Sequence, residues 1–271
     1  MNWANMSQAE RDAAYNNAAA VANSAALNAE RNNAAAPYRA ARAEHLDLPY
    51  GAREREKWDL YPGTNPQAPC LVFIHGGYWQ RNTREDFAHF GAGMAAHGWS
   101  VAMPGYTLAP DASLTEIAAE INAALDWLAA HRAAHGISGK IIISGWSAGA
   151  HLAALGMTHD LVSAGLLISG VYELGPIRDT YLNEKLRLTN AEIETLSPLR
   201  LPVVQKPTVI TYGAIELQAL VDDSKKLHEK RLAAHAPSTL LPLEGEDHFT
   251  VVLSMCTADG ILTKAVLGLA K

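Results

Sequence analysis

The chain has 271 residues, of which 49% are apolar and 18% charged, with a formal net charge of −6. That length is enough to bury a large core in one α/β domain, and the acidic balance without any basic stripe argues against a nucleic-acid partner. Two cysteines far apart in the sequence, Cys70 and Cys256, give no support to a disulfide framework or a thiolate metal site.

The opening "MNWANMSQAERD" lacks the basic-then-apolar order of a signal peptide. No apolar run approaches the ~18 residues that span a bilayer, so a soluble, cytoplasmic protein without a membrane partner is expected. Residues 1–44 are rich in Ala and Asn, and their apolar side chains are mostly methyls that bury little area. One or two short helices packed on the main domain are predicted there. The domain itself is predicted to run from 45 to 271. It starts with two strand-like stretches, "EHLDLPYG" and "EREKWDLYPG".

Short apolar runs then alternate with longer helical patterns. The runs fall at 70–77, 99–106, 140–147, 164–171, 206–213 and 238–245, and helices are predicted at about 83–97, 113–136, 148–159, 217–235 and 257–270. Continuous apolar runs suit strands covered on both faces. The expected architecture is a mostly parallel, doubly wound α/β sheet of about eight strands. Residues 172–200 break the rhythm with charges and two prolines, and are expected to form a small cap or lid at the strand ends.

Gly145-Trp146-Ser147-Ala148-Gly149 leaves one strand run and opens a helical run, the G-x-S-x-G pattern in its required context. Glycines let strand and helix backbones approach, and the sharp turn exposes the Ser147 hydroxyl. The first N–H groups of the helix lie outside its hydrogen-bond ladder. Upstream, "FIHGGYW" (73–79) places Gly76 and Gly77 where their amides, with that of Ala148, could hold an oxyanion. Losing one such donor costs on the order of 3 kcal/mol of transition-state stabilisation. His75 at the root of this loop is read as its anchor rather than as a base.

A serine needs a group to take its proton. His89, His97, His131, His135, His228 and His235 read as solvated helix faces. His159 ends a helix, and His151 lies one turn past Ser147, pointing along its helix. His248, in "EGEDHFTVV" after the last strand run, fits the order serine, acid, histidine. Glu216, three residues past Gly213, is the favoured acid, holding the imidazole tautomer. Asp222 and Asp223 are rivals expected to face solvent, and Asp247 is too local to His248. Tyr78, Trp79 and Trp146 are candidates for an aromatic substrate wall, with core packing as the alternative for the two tryptophans. No metal motif is present and no cofactor is implied.

In "HGGYW" and "SGWSAGAHLAA" the sequence resembles the α/β-hydrolase kynurenine formamidases, or arylformamidases, and their bacterial esterase-like relatives. "YNNAAAV" (15–21), the stretch 168–199 and "DHFTVV" (247–252) extend the resemblance over nearly the whole chain. It implies an α/β-hydrolase fold with a small cap. The implied activity is serine hydrolysis of a small-molecule formyl amide or related amide or ester through an acyl-enzyme. Ser147 would be nucleophile, His248 base and Glu216 acid. Relatives are often oligomeric, so a homo-oligomer is compatible with the resemblance. The Ala- and Asn-rich N-terminus and the acid segment "GAIELQALVDD", which lacks a Pro-Glu-Phe run, depart from the family's usual pattern. A carboxylesterase for small acyl esters is the alternative, and a non-catalytic ligand-binding relative is a third reading.

Overall fold

A computed structural model describes residues 3–271. The N-terminal segment forms three helices, α1 (Gln8–Ala13), α2 (Asn17–Ala20) and α3 (Ser24–Ala40), the last longer than the short helices predicted. Ser7 and Glu10 cap the first helix reciprocally. The third is fastened to the domain by charge: Arg39 Nε lies 2.7 Å from the buried Asp59 carboxylate, which Arg84 also reaches at 3.1 Å. The first lies against the cap, where the Tyr181 amide donates to Asp12 and the Gln8 carboxamide to the Asp179 carbonyl.

Eight strands form one sheet: β1 (Leu48–Pro49), β2 (Lys57–Tyr61), β3 (Cys70–Ile74), β4 (Ser100–Pro104), β5 (Ile141–Trp146), β6 (Val162–Ile168), β7 (Thr208–Gly213) and β8 (Ser238–Leu243). Their order is β1-β2-β4-β3-β5-β6-β7-β8. Pairing is parallel from β4 through β8 and antiparallel at the β1-β2-β4 edge. Cys70, Val72 and Ile74 face one hydrophobic layer while Leu71 and Phe73 face the other, and Ile141 and Ile143 alternate likewise with Ile142. Both faces of the central strands are therefore dry, which is why their sequences show no polar alternation.

The remaining helices are α4 (Ala92–Ala95), α5 (Leu114–His131), α6 (Ala148–Gly156), α7 (Gly175–Arg178), α8 (Asn183–Leu186), α9 (Asn190–Leu196), α10 (Gln218–Ala233) and α11 (Ile261–Leu269). The helix predicted at 83–97 is mostly a 3₁₀ segment, Glu85–Gly91, that hands over to the single turn of α4. Gly91 there sits so close to Val101 that a Cβ would meet its side chain at 2.9 Å, so the segment is pinned to β4. The pattern predicted at 113–136 divides, because α5 stops at His131 and a 3₁₀ turn ends on Gly136 at φ 72°. The predicted start at 257 moves to Ile261, after Gly260 has packed against the Ser254 carbonyl. The irregular stretch 172–200 holds α7, α8 and α9 and lies at the carboxyl ends of the parallel strands, as its position after β6 dictates. Among the described residues, no helix is long and apolar enough to cross a membrane.

Candidate active site

β5 occupies the middle of the sheet, and Ser147 is the residue at which it turns into α6. Its φ of 57° and ψ of −121° are strained for a residue with a Cβ. The flanking glycines explain why the turn exists at all. A Cβ on Gly145 would lie 2.2 Å from the Gly149 carbonyl oxygen, and one on Gly149 would lie 2.0 Å from that of Ile74 on β3. The Ser147 amide donates to the Ile168 carbonyl at 2.8 Å, tying the corner to β6.

His248 follows β8 in a turn closed by Asp247, whose carboxylate accepts the amides of Phe249 and Thr250 at 2.7 and 3.0 Å. That local task keeps Asp247 off the imidazole. His248 Nε2 lies 3.1 Å from Ser147 Oγ, and Nδ1 lies 2.9 Å from Glu216 Oε2. The Glu216 carboxylate is fully buried. Its other oxygen accepts the Gly213 amide at 2.7 Å and the Ser169 hydroxyl at 2.5 Å. Three side chains from the ends of β5, β7 and β8 thus form one continuous hydrogen-bonded line.

Gly76 packs beside the serine, since a Cβ there would meet Ser147 Cβ at 3.1 Å and the Trp146 carbonyl oxygen at 2.5 Å. Gly77 takes φ 123°, a conformation that disfavours other residues. In α6 the first ladder bonds run from the Ala150 and His151 amides to the Ser147 carbonyl, which leaves the Ala148 amide outside the ladder. His75 is buried, stacked on Tyr106 with ring centroids 4.3 Å apart, and its Nδ1 meets the Gly76 carbonyl at 2.9 Å. Burial pushes its imidazole down to about 3, so it stays neutral and anchors the loop.

A cavity of about 70 Å³ opens on Ser147 and His248, with Gly77, Tyr78 and Trp146 in its wall. Trp79, expected beside them, is elsewhere. Its φ of 58° turns it inward, where it is fully buried edge-on against His151, centroids 5.0 Å apart. His151 likewise does not point along its helix: it is wholly buried and its Nε2 meets the Leu196 carbonyl at 2.7 Å. His89, read as solvated, is half-buried, and burial lowers its imidazole to about 4. Asp223 is a correction of the same kind. It is buried, not solvated, and accepts the Tyr172 and Glu173 amides at 2.7 and 3.0 Å, holding the start of the cap.

The sequence reading missed Ser169, the polar residues of the cavity wall and a second role for Trp146. Ser169 steadies Glu216 from the end of β6, signalled only by a small polar residue after an apolar strand. Trp146 donates its indole N–H to the His248 carbonyl at 2.8 Å, which makes it a brace for the histidine turn as well as a wall. Asn16, Asn17 and Asn28 of the N-terminal segment line the cavity together with Arg81, Asn82 and Tyr181.

A parallel sheet with a serine elbow at its centre and acid and histidine turns beside it defines an α/β-hydrolase, an enzyme class to which the chain belongs. A family model described as BD-FAE matches residues 59–166. Within the class, the chain is similar to kynurenine formamidases and to bacterial esterases, among others. The kynurenine formamidase of Danio rerio is 26% identical over 238 residues, covering 82% of this chain and 80% of that protein. Esterase LipQ of Mycobacterium tuberculosis is 34% identical over 128 residues, covering 44% of this chain and 30% of that one. A Silicibacter protein of solved structure, provisionally named a thioesterase, superposes with a TM-score of 0.84 at 27% identity over 95% of this chain and 99% of its own. Esterase B from Lactobacillus rhamnosis shares the fold, with a TM-score of 0.70 at 19% identity over 90% of this chain and 93% of its own.

Proposed function

We propose that this enzyme is a serine hydrolase of small amides, of the formamide type, working through an acyl-enzyme. The observation that carries the reading is the unbroken line from Ser147 through His248 to Glu216, at 3.1 and 2.9 Å, opening on a cavity of about 70 Å³. Glu216 accepts from Nδ1–H, so Nε2 is the basic nitrogen and faces the serine hydroxyl. His248 takes the Ser147 proton as Oγ attacks the carbonyl carbon. The amides of Gly76, Gly77 and Ala148 receive the developing oxyanion. His248 then gives its proton to the leaving nitrogen, and water releases the acid from Ser147.

A cavity of this size suits a formyl or similarly small acyl group, and similarity to kynurenine formamidases supports an arylamine leaving group. Hydrolysis of small acyl esters is the second reading, favoured by the similarity to esterases. Cys70 and Cys256 are free thiols, which suits work in the reducing cytoplasm. The test is turnover of N-formylkynurenine and of short acyl esters by the wild-type chain and by Ser147→Ala. Wild-type cleavage that vanishes in the variant, together with covalent labelling of the wild type by a fluorophosphonate, is the expected result. Undiminished turnover in Ser147→Ala refutes the nucleophile, and ester turnover without formamide turnover selects the second reading.

A further inference from the structure

Several polar groups in the cavity wall are idle in the chemistry above, and Asn17 is one of them. Asn17 opens α2, lines the cavity with Ser147 and His248, and is 5% exposed. Its carboxamide orientation follows from its neighbours. The Tyr78 hydroxyl has one proton, and it donates that proton to the Tyr15 carbonyl at 2.7 Å. The Tyr78 oxygen can then only accept from Asn17, so Nδ2 must be the atom that meets it, at 3.0 Å. Asn17 Oδ1 is left as a buried acceptor that has no partner among the described residues. Burying a carbonyl oxygen unpaired costs roughly 1–3 kcal/mol, so an N–H donor entering the cavity would be held there.

We infer that Asn17 Oδ1 accepts the N–H of the scissile amide and makes the site selective for secondary amides, R–CO–NH–R′, over the matching esters. This rests on the amide reading proposed above. In acylation the Ser147 Oγ–C bond forms, its proton passes to His248 Nε2, and the carbonyl electrons move onto oxygen. The C–N bond then breaks as Nε2 returns the proton to the lone pair of nitrogen, and the amine departs. Once the carbon is tetrahedral the nitrogen is pyramidal, and its lone pair must face His248 to be protonated. The N–H then points away from the imidazole. Asn17 comes from the N-terminal layer, His248 from the turn after β8, so the acceptor and the proton donor reach the nitrogen from different elements. An ester oxygen has no hydrogen to offer Oδ1, so the contact separates the two substrate classes in the transition state.

The experiment compares kcat/KM for formanilide, N-methylformanilide and phenyl formate in the wild type and in Asn17→Ala. The expected result is a loss for formanilide about tenfold larger than for the other two, the value of one neutral hydrogen bond. Equal losses on all three substrates, or no loss on formanilide, overturn the assignment. If Asn17→Ala does not fold, Asn17→Ser, which also lacks the carboxamide acceptor, carries the same comparison. A wild type that cleaves phenyl formate but neither anilide overturns the amide reading and this assignment together, and does so before any variant is made.

Discussion

Glu216→Gln is the sharpest probe of the hydrogen-bonded line. The Gly213 amide, 2.7 Å from Oε1, can only donate, so it must be met by an oxygen. The carbonyl of the new side chain is therefore held at the Oε1 position, and its amide nitrogen faces His248 Nδ1 in place of the carboxylate oxygen now 2.9 Å away. Two donors cannot face each other there, so the imidazole shifts its proton to Nε2. Nε2, 3.1 Å from Ser147, then donates where it should accept. Packing is preserved because the two side chains have the same shape. A wrong tautomer at such a site costs about 10⁴ in kcat, or about 5 kcal/mol of barrier. Steady-state hydrolysis of p-nitrophenyl acetate, with the thermal transition as a control for folding, measures it. A variant that folds normally and keeps kcat within tenfold of wild type would refute the reasoning.

Trp146→Phe removes the N–H that holds the His248 carbonyl and keeps the aromatic wall. It should lower kcat about tenfold with little change in KM, and lower the thermal transition by a few degrees, as expected for one buried carbonyl left unpaired. Asp223 bears on pH and stability. Burial pushes its carboxyl up to about 7 despite two backbone donors. The folded state thus holds this proton more tightly than the unfolded chain, and stability falls as pH rises from about 4 to about 7, by roughly 4 kcal/mol at most. Asp223→Asn keeps an acceptor for the Tyr172 amide and should flatten that decline in urea titrations at pH 5 and pH 8. A variant with the wild-type slope would move its origin elsewhere.

The covalent order of the chain already carried the α/β alternation, the elbow at Ser147, the glycine loop at Gly76 and Gly77, and a histidine after the last strand. These are legible because each is a local demand: dry strands need continuous apolar runs, and a tight strand-to-helix turn needs glycine where backbone touches backbone. Glu216 was readable for a similar reason, since a strand end and a turn place it within a few residues. What lay beyond local rules was decided by packing. Trp79 and His151 share a buried contact although 72 positions separate them, and no periodicity announces which way a residue at positive φ will turn. Asp223 looked solvated because helix spacing does not say that the cap will lie over it. The N-terminal helices, whose alanines suggested weak packing, brought Asn17 to the cavity through Tyr78 and Tyr15, and a polar wall built from two distant segments exists only once the tertiary fold has closed.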